Sequence, residues 1–224
     1  MMLLNEENAK WLGKKLNGHN EVNSILFDKK TLLIKISRKK GQSFILCVIS
    51  ESDVKLSFIK KLMMYFHKIE TDPHFIVNIP KEAYVEGDVF TYLDNAGINY
   101  GGIGDLYRFI NQLTNTPYLN PEANFILRAV KQHSKVASIN RIDSRRYLIR
   151  RWNLPEVRIL ALNDYDFGVE SVRLGKEKYN KFDAILTSNP NARISLSARR
   201  VAKELNIKIL KFGELLRELN FEWK

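Results

Sequence analysis

One cysteine, Cys47, is all that 224 residues provide. That excludes an internal disulfide framework and a cysteine-based zinc site, and it suits a reducing compartment. Cys47 sits in the apolar run Phe44–Ile49, so a buried strand residue is expected there rather than a nucleophile. Long apolar runs are also missing: no stretch nears the roughly 18 uncharged residues of a membrane span, and no charged leader precedes one. The expectation is a soluble, cytoplasmic protein with no membrane role. Histidine is sparse, and His19, His67, His74 and His133 form no i, i+4 metal pair. Acids are the minority charge, 25 Asp and Glu against 36 Lys and Arg, for a formal charge of +11 and a pI near 9.6. A surplus of that size favours polyanionic partners, nucleic acid ahead of an anionic membrane surface. What is plentiful is core material: 45% hydrophobic residues, with 12 Phe, 9 Tyr and 3 Trp, which argues against disorder. The Lys-, Glu- and Ile-rich usage also fits a thermophilic source.

The chain repeats itself at about 110 residues, near the common domain size. Ile103-Gly104-Asp105-Leu106-Tyr107-Arg108-Phe109-Ile110-Asn111 reads against Phe212-Gly213-Glu214-Leu215-Leu216-Arg217-Glu218-Leu219-Asn220. Upstream, Asn5-Glu6-Glu7-Asn8 pairs with Asn120-Pro121-Glu122-Ala123, Asp28 with Asp143, Leu33-Ile34 with Leu148-Ile149, Ile45-Leu46 with Ile159-Leu160, and Pro80 with Pro190. The polar, proline-stopped segment Thr114–Pro117 reads as a linker, giving domains 1–115 and 116–224. The doubling is also an internal control: what the fold needs recurs in both copies, and a one-copy feature is specialised or accidental.

Periodicity and turn residues predict, for the first copy, a helix over Glu6–Leu16 and strands over Val22–Phe27, Leu32–Ser37 and Phe44–Ile49. A helix over Leu56–Ile69, a strand over Phe75–Ile79, a helix over Gly87–Asn95, a strand over Ile98–Gly101 and a helix over Asp105–Leu113 follow. The second copy predicts helix Glu122–Gln132, strands Val136–Asn140, Tyr147–Trp152 and Val157–Leu162, helix Val169–Tyr179, strand Ala184–Ser188, helix Leu196–Leu205, strand Ile207–Leu210 and helix Gly213–Leu219. The fold class is α/β: two tandem copies of an α-βββ-α-β-α-β-α mixed-sheet domain.

That order, with Asp183–Ser188, the run Ser197–Leu210 bearing Ala198, Ala202 and Leu205, and Gly213–Leu216, resembles the restriction-endonuclease-like fold of PD-(D/E)XK nucleases, especially the Mrr-type branch. Phe75–Pro80, Val89–Leu93 and Gly104–Leu106 carry a weaker version in the first copy. The resemblance implies a magnesium-dependent site: an acid on the second strand, an E/Q-x-K on the third, and Mg²⁺ polarising a phosphate. Neither second strand, Leu32–Ser37 or Tyr147–Trp152, contains an acid. Neither third strand, Ile45–Ser50 or Ile159–Asp164, contains E/Q-x-K. Binding without cleavage, and without a cofactor, is therefore expected.

Bases stand where the acids are missing. Lys29, Lys30, Lys35, Arg38, Lys39 and Lys40 crowd the first β-meander, and Arg141, Arg145, Arg146, Arg150 and Arg151 the second. Two equivalent positive patches could track a phosphate backbone, DNA ahead of RNA, and about six neutralised phosphates give a salt slope of roughly −5. Tyr147 and Trp152 lie among the arginines, where they could stack on a base.

An alternative centres on Asn163-Asp164-Tyr165-Asp166-Phe167-Gly168, which resembles the Toprim region of topoisomerase VI A-type proteins. That likeness implies a Mg²⁺-dependent nuclease or topoisomerase using Asp164 and Asp166, with Glu122 as the upstream acid. Phe167 departs from the expected proline, Ser50-Glu51-Ser52-Asp53 stands in the first copy, and an aspartate-capped loop explains the residues more simply. A further alternative is an assembly or scaffold subunit, a homodimer or the partner of another protein, docking through the helix Leu56–Ile69 with Met63, Met64 and Phe66. The glycine-rich stretch Gly97–Gly104 lacks a phosphate-loop pattern and reads as turn chemistry, and Ser195 and Ser197 as helix caps.

Overall fold

The structure is a computed structural model and describes residues 4–80 and 82–223. It divides into two compact units, Met1–Asn120 and Pro121–Lys224. The Thr114–Pro117 segment thus belongs to the first: Asn115 donates from its backbone to Gln42 Oε1 at 3.1 Å, and Tyr118 is buried in that unit's core.

The first unit runs α1 (Glu6–Leu16), β1 (Val22–Phe27), β2 (Ile34–Arg38), β3 (Phe44–Ile49), β4 (Asp53–Val54), α2 (Leu56–Lys68), β5 (Phe75–Asn78), β6 (Tyr84–Val85), α3 (Gly87–Asn95), β7 (Asn99–Gly101) and α4 (Ile103–Ile110). Its sheet has the order β1-β2-β3-β5-β7: an antiparallel meander, then two parallel additions. The second unit repeats this with α5 (Pro121–Lys131), β8 (Val136–Arg141), β9 (Arg146–Arg151), β10 (Leu154–Leu162), β11 (Asp166–Phe167), α6 (Val169–Tyr179), β12 (Ala184–Thr187), β13 (Arg193–Ile194), α7 (Leu196–Glu204), β14 (Lys208–Lys211) and α8 (Phe212–Glu218), in the order β14-β12-β10-β9-β8. The sequence reading missed the two-residue parallel ribbons β4·β6 and β11·β13, which are too short to carry a period.

Helix starts follow local chemistry. Asn5 Oδ1 accepts from the Glu7 and Asn8 amides, with acids in the first turn of α1 and lysines in its last. In α4 and α8 an acid three residues in reaches back to the N-cap amide: Asp105 to Gly102 at 3.1 Å, Glu214 to Lys211 at 2.7 Å. In the first unit α1 and α4 cover one sheet face, packing side chains such as Phe109 over Ile34, Ile36, Leu46 and Phe75, while α2 and α3 cover the other, packing Leu62, Phe66 and Leu93 over Cys47 and Ile49. Cys47 is fully buried, and burial raises its thiol pKa, which leaves a packing role and no nucleophile. The α2 face named as a docking surface is divided: Phe66 is buried in the core, and only Met64 stands well exposed.

Candidate nucleic-acid interface

Strand pairing fixes which residues of the two copies correspond. Val22 opposes Arg38 and Val136 opposes Arg151, each beside the same bulge, so Arg38 corresponds to Arg151 and Ile36 to Ile149. The second strands therefore align two residues away from the match read in the sequence. The recurrent base is Arg38/Arg151, and it belongs to the fold. Arg38 is 4% exposed and Arg151 6%. Arg38 donates from Nε to Ile110 O and from Nη2 to Phe109 O, both at 3.0 Å. Its Nη1 reaches Gln42 O and, at 2.7 Å, Asn115 Oδ1, and the guanidinium lies against Phe44 and Phe109. Arg151 donates to Pro155 O, Leu219 O and Phe221 O beside the Trp223 ring. Each arginine closes the C-terminal carbonyls of its unit's last helix, where orphan acceptors and the helix dipole both favour a cation. Neither is free to meet a phosphate, which corrects their assignment as binding residues.

Other cations are similarly engaged. Arg146 Nε donates to Asp143 Oδ2 at 2.7 Å and its Nη1 to Tyr179 O at 2.6 Å, while Asp143, with no exposed surface, also accepts the Arg145 and Arg146 amides. Arg145 Nη1 lies 3.0 Å from Glu122 Oε2, and half-buried Arg141 reaches Ser144 O at 3.4 Å. Arg150 is exposed but 3.8 Å from Glu156, which holds Arg158 at 2.6 Å. In contrast, Lys29, Lys30, Lys35, Lys39 and Lys40 are all exposed, and none is ion-paired among the described residues. Lys29 and Lys30 occupy the β1–β2 turn, Lys39 and Lys40 the β2–β3 turn, and Lys35 the strand between. Of the aromatics, Tyr147 is 2% exposed in the core and cannot stack on a base, whereas Trp152 is 61% exposed just past β9.

The acids of the metal alternative are placed as follows. Leu46 and Ile159 hold the same register against β5 and β12, so Glu51 corresponds to Asp164 and Asp53 to Asp166. The acidic pair is thus present in both copies, its first member in the loop before the short ribbon and its second opening the ribbon strand. Glu122 accepts Ser188 Oγ at 2.5 Å and the Arg145 guanidinium, a cation already seated where a metal would need the carboxylate. Among the described residues no group of three His, Cys, Asp or Glu could hold a metal ion. His19 and His133 recur as well, each accepting at Nδ1 the amide two residues on at 3.2 Å, so they are turn residues.

The charge is unevenly divided. The second unit has 21 Lys and Arg against 12 Asp and Glu; the first has 15 against 13. Several second-unit cations lie outside the meander, where the sequence reading did not look. Arg199 and Lys203 on α7, spaced i, i+4, are exposed and without an ion-pair partner among the described residues. No family model matches the chain, and neither a curated protein nor a solved structure does. Among the described residues no helix is long and apolar enough to cross a membrane.

Proposed function

We propose that this chain is a cytoplasmic nucleic-acid-binding protein made of two degenerate nuclease-like domains, which holds the phosphate backbone without cleaving it. The observation that carries the reading is the set of cations the fold leaves unused. Five lysines on the turns and middle strand of the first meander have no ion-pair partner among the described residues, although folding consumes Arg38 of the same meander. Holding so many like charges on one β-meander costs self-repulsion, which a polyanion relieves. The absence of an acid-x-lysine set on either third strand supports binding over hydrolysis, and DNA is the preferred ligand.

The test is a salt titration of duplex DNA binding. The intact chain should give a slope of log K against log salt of roughly −5, and Lys29→Glu/Lys30→Glu/Lys39→Glu/Lys40→Glu should flatten it by about 3. An unchanged slope in the quadruple variant would remove the meander from the interface, and no binding at low salt would remove the function.

A further inference from the structure

The two units share a backbone around their last crossover helix but use it differently. Gly97 and Asn206 both take positive φ, 69° and 54°, at the turn after α3 and α7. Ile98 N–H then donates to Leu93 O at 2.9 Å and Ile207 N–H to Ala202 O at 2.8 Å. Phe90, Asp94, Asn99 and Tyr100 therefore correspond to Arg199, Lys203, Lys208 and Ile209. In the first unit Phe90 packs edge-on against Tyr100 with ring centroids 5.7 Å apart, filling the space between helix and edge strand. In the second unit the smaller Ala202 replaces Leu93, no aromatic is present, and a cleft of about 230 Å³ opens, lined by Arg199, Lys203, Asn206 and Lys208. Because the first unit folds with this space plugged, neither the cleft nor its cations are demanded by the fold.

We propose that this cleft between α7 and β14 is a binding site for a phosphate group. Three cationic side chains converge on it. Lys208 is partly engaged by Glu218 at 2.7 Å, while Arg199 and Lys203 have no ion-pair partner among the described residues. The volume is several times the ~30 Å³ that one water occupies in the liquid. β14 is the edge of its sheet, so it offers backbone donors too. Lys208 N–H points inward, to Asp183 O at 3.3 Å, so strand alternation leaves the N–H of Ile209, a residue lining the cleft, on the open edge of the sheet. An edge amide flanked by a guanidinium and an ammonium provides the charge-assisted donors that phosphate oxygens accept. The site does not depend on the meander lysines, and it stands if their role in DNA binding fails.

The experiment follows the Ile209 amide by ¹H–¹⁵N NMR while the full chain is titrated with inorganic pyrophosphate, with adenosine monophosphate, and with a 12-nucleotide DNA strand. A saturable shift at Ile209 is expected with at least one of them, weakened about tenfold for each cation removed in Arg199→Gln and Lys203→Gln. Saturation by pyrophosphate or the mononucleotide identifies a free-phosphate ligand, and saturation by the strand alone identifies a polynucleotide backbone. Both variants alter exposed side chains, so spectra unchanged elsewhere report intact folding. No shift at Ile209 with any probe, or shifts that Arg199→Gln/Lys203→Gln leaves unaltered, would overturn the site.

Discussion

Buried arginine is costly unless its donors are used, and Arg38 and Arg151 each make four hydrogen bonds to uncharged acceptors rather than acids, all of them backbone carbonyls except Asn115 Oδ1 at Arg38. Arg38→Met or Arg151→Met would keep the aliphatic packing but strand the helix-end carbonyls, at about 3 kcal/mol. Urea unfolding should show that loss, and the salt slope of DNA binding should stay put; a changed slope with unchanged stability would make these residues ligands after all. His74 is a second residue whose state the fold dictates. Its Nδ1 accepts the Ile45 amide at 3.1 Å, and burial, then the charge of Arg38, lower its pKa. Below the ordinary imidazole value of about 6.5 the unfolded chain takes up a proton that the folded chain refuses. Stability should therefore fall as pH drops through that value and level off below the folded one. His74→Asn keeps an acceptor without titrating, so unfolding at pH 7.5 and 5.5 should show a larger acid loss in the wild type. Equal losses would remove His74 from the account.

At the scale of elements, the start of α4 shows how one side chain organises a neighbourhood. Asp105 accepts from Gly102 N–H at 3.1 Å, Tyr118 Oη at 2.7 Å and Asn120 Nδ2 at 2.9 Å, tying the chain after α4 back to β7. So close an approach requires Gly101, where an added Cβ would sit 2.5 Å from that of Asp105. The second unit uses Glu214, one methylene longer, and tolerates Leu210 on the strand. Gly101→Ala should cost about 2 kcal/mol through the displaced carboxylate, lowering Tm by several degrees, and hydrogen exchange should quicken at the Tyr118 amide. Normal exchange there would mean that the tether is not essential. This is also where the sequence was most and least legible. Apolar periods and caps locate α1, β1, β3, α3 and α6 to the residue, because each is decided by neighbours along the chain. The roles of the bases are decided across strands. Arg38 continues the buried row Ile34, Ile36, and Arg151 the row Tyr147, Ile149; an arginine in phase with an apolar face in both copies was the available sign of a structural role. The α7 cleft left no comparable sign, since it depends on which side chains are small enough to leave space.

Across the whole molecule, charge is distributed more sharply than its total suggests. Residues 1–50 contain 9 Lys and Arg against 4 Asp and Glu, while residues 51–120 contain 6 against 9. Within one compact unit, α1 and the meander are thus positive, and the part built from α2, α3 and α4 is negative. A phosphate backbone follows local potential rather than net charge, since interactions beyond about 8 to 10 Å are screened at physiological salt. Bound DNA should accordingly avoid α2 even though Lys60, Lys61 and Lys68 are as exposed there as the meander lysines. Lysine acetylation read by mass spectrometry distinguishes the two sets directly. With saturating duplex, Lys29, Lys30, Lys39 and Lys40 should be protected several-fold while Lys60, Lys61 and Lys68 react as in the free protein. Uniform protection would mean that the chain attracts DNA only as a diffuse cation, and the division of the first unit into a binding meander and a non-binding helical part would have no functional meaning.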